Sequence, residues 1–269
     1  MRSVTAKYAL SDLTKPIIFG LLEDVAKTYK VNKGTLAKIR SILYGMLNYA
    51  VCTGKFPGDN PVKDMILPKA AVEAEPTEAA TREEVQALLV ALKGQPLARA
   101  AIGILAFCGV RPGEARGLKW EEWDRAEKQI HVCRSIWHRV VSTPKTEKSV
   151  RFVAVSDDLR EILLDLWNAK GCPISGYILA GRKDWPVILD NVTKRVIRPA
   201  AEKAGILWKE YYALRRFHGT EVRMKSNGKT AADALGNSEE VFKRHYDKPS
   251  EVYPDVRRAV NDAMTGLVQ

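Results

Sequence analysis

Three separated segments of this sequence carry residues whose types and spacing suit chemistry on an anion. FCGVRPGEARGLKWEEWD places Arg111 just after a predicted helix end, with Glu114 three residues later. STPKTEK contains Lys145, and YYALRRFHGT places Tyr212 three residues before Arg215, so that both can lie on one helical face. Guanidinium groups bind oxyanions through paired hydrogen bonds, and an ammonium group can donate a proton. These segments therefore offer anion binding and proton transfer.

A fourth segment, LGNSEEVFKRHYDKP, contains an amide and a phenol side chain at a fixed spacing. It places Asn237 nine residues before Tyr246, whose phenol oxygen can form a covalent intermediate. Taken one at a time, such residues have ordinary roles. Arg111 suits an ion pair, Lys145 suits a polar surface turn, and Tyr246 suits an amphipathic cap on the core. Only the joint order of the four segments indicates a function.

That order resembles the catalytic domain of the tyrosine site-specific recombinases, the phage integrase family. In the family a GLRxGE-like segment bears one arginine, a β-turn bears a lysine, an HxxR segment bears a second arginine, and an LGH segment precedes the nucleophilic tyrosine by nine residues. The matching residues here are Arg111, Lys145, Arg215 and Tyr246. LNYAVCTGKFPGDNPV also resembles the end of the family's helical core-binding domain, so the resemblance covers nearly the whole chain.

The sequence departs from the family pattern at two positions. Tyr212 stands where HxxR has its histidine, and Asn237 stands where LGH has its histidine. A phenol and an amide can still donate a hydrogen bond, but neither can bring a positive charge. The resemblance therefore implies the family's two arginines, lysine and tyrosine with uncharged donors beside them.

The resemblance implies cleavage and rejoining of DNA by transesterification. Arg111 and Arg215 would hold the scissile phosphate. Tyr246 would attack the phosphorus to form a 3′-phosphotyrosine, and Lys145 would protonate the departing 5′ oxygen. This scheme requires no metal and no nucleotide cofactor.

Further residues would support this chemistry. Tyr212 and Asn237 would donate hydrogen bonds to the phosphate, and Glu114 would orient a neighbouring group. The four histidines form no HExxH or HxxxH arrangement, so no metal site is expected. The residues expected to contact DNA are Lys38, Arg40, Arg216, Lys243, Arg244 and His245.

The charge balance favours the same partner. Forty-three Lys and Arg residues against 32 Asp and Glu residues give a net charge of +11 and a pI near 9.4. An excess of this size suggests a polyanion such as nucleic acid. Both parts of the chain contribute, with +4 in residues 1–75 and +7 in the rest. This distribution fits a two-lobed clamp around a DNA duplex better than a single basic tail.

Composition separates an N-terminal helical domain from the rest. In residues 1–70 a helix around KPIIFGLLEDVAKTY is followed by a second from Thr35 with one apolar face. That face consists of Leu36, Ile39, Leu43, Leu47 and Ala50. These helices are expected to form the core-type DNA-binding domain. Residues 71–80 have little large apolar content and are the expected linker.

Residues 81–269 are the expected catalytic tyrosine-recombinase domain. Thr81 and Glu84 form a capping box at its first helix, and a second helix is expected from about Leu97 to Cys108. QIHVCRSIW and SVRFVAVS are β-rich, while most of the remainder is helical and ends in a C-terminal helix near 256–267. The expected fold class is thus mainly α with a small antiparallel β-sheet (α+β).

Composition also predicts the setting. The chain has no apolar run near 18 residues and no signal peptide, so a cytoplasmic protein is expected. The resemblance implies that a bacterium, phage or mobile element encodes it. Its four distant cysteines favour free, buried or neutral thiols. The resemblance implies double-stranded DNA as partner, a tetramer on DNA held by C-terminal helices, and accessory DNA-bending proteins. Because the sequence begins close to the core-binding domain, we expect it to lack the arm-type DNA-binding domain of many integrases.

Three other interpretations stay open at this stage. A DNA-binding relative of the same fold with weakened catalysis would carry the same segments, and the departures at Tyr212 and Asn237 allow it. A type IB topoisomerase would also form a 3′ adduct, but would relax supercoiled DNA without pairing sites. An unrelated basic helical regulator would share the order of the segments by coincidence.

Overall fold

The computed structural model describes residues 8–73, 78–143 and 149–245, and only the backbone of residues 244 and 245. Several predictions fall outside these residues, namely those on Lys145, Tyr246, the side chains of Arg244 and His245, and the helix near 256–267. The chain forms two compact units, residues 1–76 and residues 77–269. Each unit has its own hydrophobic core.

The first unit is built on two helices, α1 (Lys15–Tyr29) and α2 (Lys33–Cys52). The apolar face predicted for α2 is confirmed, since Leu36, Leu47 and Ala50 are buried and Ile39 and Leu43 pack against the same cluster. The rest of this core comes from α1 and from the irregular segment after α2: Ile18, Leu22, Ala26, Phe56, Val62, Met65 and Ala71.

The two ends of the segment expected as a linker, residues 71–80, each make contacts within the adjoining unit. Ala71 is buried in the first core, and the Val72 carbonyl accepts a hydrogen bond from the Lys33 backbone N–H at 2.9 Å. In the second unit the Ala80 backbone N–H donates to the Ala213 carbonyl at 3.1 Å. Residues 71–73 are therefore part of the first unit, and Ala80 is part of the second.

The second unit is mainly helical. Its helices are α3 (Arg82–Ala91), α4 (Pro96–Phe107), α5 (Pro112–Gly117), α6 (Asp157–Ala169), α7 (Leu189–Val192), α8 (Arg198–Lys203), α9 (Tyr211–Lys225), α10 (Gly228–Leu235) and α11 (Glu239–His245). The predicted capping box is present: the Thr81 backbone N–H donates to Glu84 Oε2 at 2.8 Å, and the Glu84 backbone N–H donates to Thr81 Oγ1 at 3.2 Å. Helix α5 begins at Pro112, a residue type suited to the first position of a helix.

The strands of the second unit form two antiparallel pieces. One is a three-stranded sheet in the order β1 (Trp123–Asp124), β2 (Gln129–Val132), β5 (Arg151–Ala154), and the other is a hairpin of β3 (Ser135–Trp137) and β4 (Val140–Ser142). The small antiparallel sheet is thus confirmed. QIHVCRSIW, however, is two strands, because Arg134 turns away between them to donate to the Gly117 carbonyl at 2.9 Å and to Glu122 Oε2 at 2.7 Å.

Helix α4 lies at the centre of the second core. It is apolar on almost every side, which is typical of a fully buried helix, and Ile102, Ile104 and Leu105 are completely buried. Helices α6 and α9 pack against it. At Gly103 the packing with α6 is so close that a Cβ would lie 3.2 Å from Leu159 Cδ1. This buried helix fixes the point from which the Arg111 segment starts.

None of the described helices combines the length and the apolar character needed to cross a membrane. The four cysteines are free thiols, of which Cys108 is buried and Cys52 and Cys172 are exposed. Burial raises the pKa of Cys108 to about 12, so its thiol is neutral. Within the described ranges, no group of three His, Cys, Asp or Glu side chains is arranged to hold a metal ion.

Candidate active site

Arg111 leaves the core through a glycine turn. Gly109, which follows α4, has φ +59°, and a Cβ at this position would come within 2.7 Å of His218 Cγ. Arg111 then precedes α5, where its backbone N–H donates to Glu114 Oε2 at 3.0 Å and its Nη1 donates to Glu114 Oε1 at 2.7 Å. The Arg111 side chain stays 35% exposed. The turn therefore presents a guanidinium group that a carboxylate anchors on one side.

Arg215 is completely buried in the middle of α9, at 0% exposure. Its Nη1 donates to the Gly109 carbonyl at 2.6 Å, and its Nη2 donates to the Leu235 carbonyl at 2.8 Å and to Asn237 Oδ1 at 3.3 Å. A buried charge is tolerated only when it is well hydrogen-bonded. These bonds join α9 to the end of α4 and to the end of α10.

Asn237 connects the two arginines. Helix α10 ends at Gly236 in the left-handed conformation (φ 64°), which is a common helix ending, and Asn237 follows directly. Its Oδ1 accepts from Arg111 Nη2 at 2.9 Å as well as from Arg215. Its Nδ2 is buried and has no hydrogen-bond partner among the described residues. The structure thus brings Arg111, Glu114, Arg215 and Asn237 into one cluster.

Arg151 also belongs to this cluster, although the motifs did not single it out. From β5 it donates to Glu114 Oε2 at 3.2 Å and to the Ala234 carbonyl at 3.3 Å. Burial raises the pKa of Glu114, but the charges of Arg151 and Arg111 and the Arg111 backbone N–H outweigh it and hold this pKa below its ordinary value. Arg151 lies on the same face of β5 as the buried Val153, because alternate residues of a strand point to the same side. This alternation is the sequence signal that could have identified Arg151 as an inward-pointing residue.

Tyr212 does not join the cluster. It lies three residues before Arg215 on α9, yet it is 47% exposed and makes no hydrogen bond to either arginine or to Asn237 within the described part of the chain. The neighbouring Tyr211 is buried instead, where its hydroxyl donates to the Leu189 carbonyl at 3.0 Å and lies 2.6 Å from Thr193 Oγ1. The prediction that Tyr212 and Arg215 lie on one helical face therefore holds only approximately, since the first side chain is exposed and the second is buried.

His218 is a second residue of the site that the motifs did not identify, and it is half-buried. Its ring packs against Gly109, and it makes a hydrogen bond to the backbone of Ala106 near the end of α4. Burial lowers the pKa of His218 to about 4, and the positive charges of Arg215 and Arg151 act in the same direction. A neutral imidazole therefore supports the glycine turn that leads to Arg111.

Acidification is expected to destabilise the protein through His218. Because its folded pKa of about 4 lies below the ordinary value of 6.5, the unfolded chain binds the proton more tightly. Stability is then fully present above about pH 6.5 and falls towards pH 4, by about 3 kcal/mol for this group. Urea unfolding from pH 7 to pH 4.5 measures the slope. His218→Gln should make the unfolding free energy depend less on pH, and the matched His131→Gln should not. Equal slopes in the wild type and both variants would contradict the assignment of this pH dependence to His218.

The residues expected to contact DNA have different surroundings. Lys38 is exposed on α2, whereas Arg40 is half-buried and donates to the Met65 carbonyl at 2.6 Å. Arg216 is half-buried on α9, and exposed Lys243 lies 2.8 Å from Glu239 on α11. Arg40 is thus partly engaged within the first unit, and Lys38 is the freer of the two on α2.

The chain is similar in sequence to two bacterial proteins. It is 27% identical over 245 residues to a protein described as "Tyrosine recombinase XerC-like" from Caldanaerobacter subterraneus subsp. tengcongensis, with 79% of this chain and 62% of that protein covered. It is 26% identical over 200 residues to the "Prophage ps2 probable integrase" of Lactococcus lactis subsp. lactis, with 66% and 51% covered. The chain therefore spans between half and two thirds of these relatives. No protein-family model matches it.

The chain also resembles solved structures. The Tn1549 transposon integrase in complex with circular intermediate DNA superposes with a TM-score of 0.74 at 15% identity, covering 96% of this chain and 89% of that one. A λ integrase dimer bound to a COC′ core site gives 0.65 at 19% identity, covering 91% and 68%. A λ integrase tetramer on a Holliday junction also gives 0.65, covering 90% and 68%.

The fold is therefore that of the tyrosine recombinases, and the predicted fold class, mainly α with a small antiparallel sheet, is confirmed. In sequence the chain is similar to a tyrosine recombinase and to a prophage integrase, in keeping with the resemblance that the order of its motifs indicates.

Proposed function

We propose that the chain is a site-specific recombinase or integrase that cleaves and rejoins double-stranded DNA through a 3′-phosphotyrosine. The convergence of Arg111 and Arg215 on one oxygen atom, Asn237 Oδ1, supports this function best. Two guanidinium groups aimed at one point suit an anionic oxygen that accepts from both, such as a non-bridging oxygen of a phosphodiester. The net charge of +11 would add the salt-dependent attraction to the DNA backbone.

A bound phosphodiester would take the position of the amide oxygen. Arg111 Nη2 and Arg215 Nη2 would then donate to the phosphate, and the Asn237 side chain would turn so that Nδ2 donates as well. An unpaired buried N–H group costs about 1–3 kcal/mol, and this donation would recover that cost when DNA binds. In the free protein the Asn237 amide oxygen would thus accept the hydrogen bonds that the phosphate accepts in the complex. In the complex the Asn237 amide would be an uncharged donor to that phosphate.

The reaction itself exchanges one phosphodiester for another. Tyr246 Oη would lose its proton and form a bond to the phosphorus while the bond from phosphorus to the 5′ oxygen breaks. Lys145 would give that oxygen a proton, so that one proton is lost and one is gained overall. The phosphorus keeps its four oxygens, so no oxidant and no water is consumed. Attack by a 5′ hydroxyl on the phosphotyrosine would reverse the step and rejoin a strand. Both residues are assigned by resemblance.

The setting of this activity is part of the proposal. Assembly into a tetramer on paired DNA sites would match the λ integrase tetramer that the chain resembles. Both units would bind the duplex, and accessory DNA-bending proteins would assist. The protein would be located in the cytoplasm, because its substrate would be chromosomal or mobile-element DNA. This location is in keeping with the bacterial and prophage relatives.

A nicked duplex that traps the cleaved strand is expected to give an SDS-resistant protein–DNA adduct. Tyr246→Phe should abolish the adduct completely, because the attacking oxygen is removed. Tyr29→Phe, which removes an exposed hydroxyl on α1, is the matched control and should keep full yield. The assay requires a library of candidate sites and is read on denaturing gels. An undiminished adduct from Tyr246→Phe would show that the nucleophile lies elsewhere.

The same assay separates a second candidate function, a DNA-binding relative with weakened catalysis. The exposed position of Tyr212, which stands where the family has a histidine, favours this candidate. Such a protein would shift the library DNA in a native gel and give no adduct. A protein that did neither would fit the unrelated regulator.

A further inference from the structure

The hairpin of β3 and β4, residues 135–142, presents an exposed apolar and basic tip that the cluster does not use. We refer to it as the finger. Trp137 is 73% exposed, and Val140 opposite it is also largely exposed. His138 and Arg139 form the exposed two-residue turn between the strands. Two paired, exposed apolar side chains bordered by polar and charged groups form the kind of surface patch that marks an interaction site.

The finger is held rigidly at its base. The buried Arg116 donates through Nη1 to the Ile136 carbonyl and through Nη2 to the His138 carbonyl, both at 2.9 Å. Ile136 is fully buried, and a Cβ on Gly113 would lie 2.5 Å from Ser135 Oγ. Arg116 and Gly113 both belong to α5, the helix that Arg111 precedes. The finger and Arg111 are therefore mounted on the same short helix.

The backbone conformation of the turn exposes its side chains to solvent. His138 adopts φ +51°, a conformation that a side chain with a Cβ rarely takes, and its ring lies edge-on to the Trp137 indole at 4.8 Å between centroids. The Arg116 bond to the His138 carbonyl holds this geometry in place. The tip thus offers an aromatic surface beside the Arg139 guanidinium.

We propose that the finger binds the DNA duplex next to the scissile phosphate, with Trp137 against a sugar or base and Arg139 on a backbone phosphate. This rests on the proposed function. The finger contains no acidic residue, and its only formal charge is positive, which suits a polyanion. Its shared mounting with Arg111 keeps it beside any DNA that the cluster holds. In sequence, Lys145, the proposed proton donor, follows three residues after Ser142.

Binding to DNA of single-site length tests the proposal. The measurements use the full chain carrying Tyr246→Phe, so that cleavage does not interfere, and a fluorescent duplex with one half-site. Trp137→Ala is expected to weaken binding by about 5- to 100-fold, the range for loss of one stacking contact. Trp137→Phe should recover most of that loss. Arg139→Ala should reduce the slope of log affinity against log salt by about 1.

Two exposed residues outside the finger serve as matched controls. Ile174→Ala and Arg160→Ala remove an apolar and a basic side chain and should bind as the parent does. If Trp137→Ala binds the half-site normally but weakens only assembly on paired sites, the finger contacts another copy of the chain and the DNA proposal is wrong. The proposed function is judged separately, because it fails if the wild-type chain forms no adduct at all.

Discussion

Replacing Arg215 with lysine is expected to slow formation of the covalent DNA adduct on the order of 10²- to 10³-fold, the usual cost of losing a preorganised donor to a developing negative charge. Lysine keeps the positive charge but has one nitrogen in place of the planar fork. Arg215 donates to three oxygens, on Gly109, Leu235 and Asn237, and a single ammonium group cannot reach all three with the same geometry. The phosphate would therefore be held less precisely.

The same substitution should also lower the free energy of unfolding. Each carbonyl left without its donor in the buried cluster costs about 1–3 kcal/mol. Adduct rates are therefore compared at saturating protein and at a temperature where circular dichroism shows both proteins folded. Arg160→Lys, at an exposed position of α6, is the control and should change neither quantity by much. Cleavage by Arg215→Lys within a few-fold of wild type would rule out the assigned role.

Replacing Glu114 with glutamine is expected to destabilise the protein by about 3–5 kcal/mol, as when one partner of a buried ion pair is removed. Glu114 lies between the guanidinium groups of Arg111 and Arg151, at 2.7 Å and 3.2 Å. Without its charge, two buried or half-buried cations face each other uncompensated. Because Glu114 also holds Arg111 in place, adduct formation should fall about 10²-fold through misplacement of that side chain.

The pH dependence provides an independent readout for Glu114. Its folded pKa lies below the ordinary value of 4.5, so the stability it contributes is present above pH 4.5 and is lost as the pH falls through the folded pKa. The Glu114→Gln protein should lack this component in urea unfolding between pH 5 and pH 3. Glu127→Gln, on an exposed turn, is the matched control. A Glu114→Gln protein within 1 kcal/mol of wild type at pH 7 would show that the pair is not needed.

Local sequence signals predicted much of the fold. The capping box at Thr81, the period of apolar residues from Leu36 to Ala50, and Pro112 at a helix start depend on neighbours within one or two turns, so they can be read without tertiary information. The same is true of the β-rich segments that became β2 and β5. The division at Arg134 could not be read this way, because its partners Gly117 and Glu122 lie on other elements.

The sequence by itself determined four of the residues that the cluster contains. Arg111, Glu114, Arg215 and Asn237 were identified from the order and spacing of short motifs, because such chemistry needs particular side chains at fixed points of a chain.

Only the tertiary structure decided how these residues are connected. Asn237 Oδ1 joins two arginines that lie 104 residues apart in sequence, Arg151 completes the pairing of Glu114, and Tyr212 stays outside. The physical reason is that hydrogen bonds of 2.6–3.3 Å depend on where the ends of α4 and α10 and the middle of α9 lie in space. Those positions are set by packing around the buried α4, which no local pattern records.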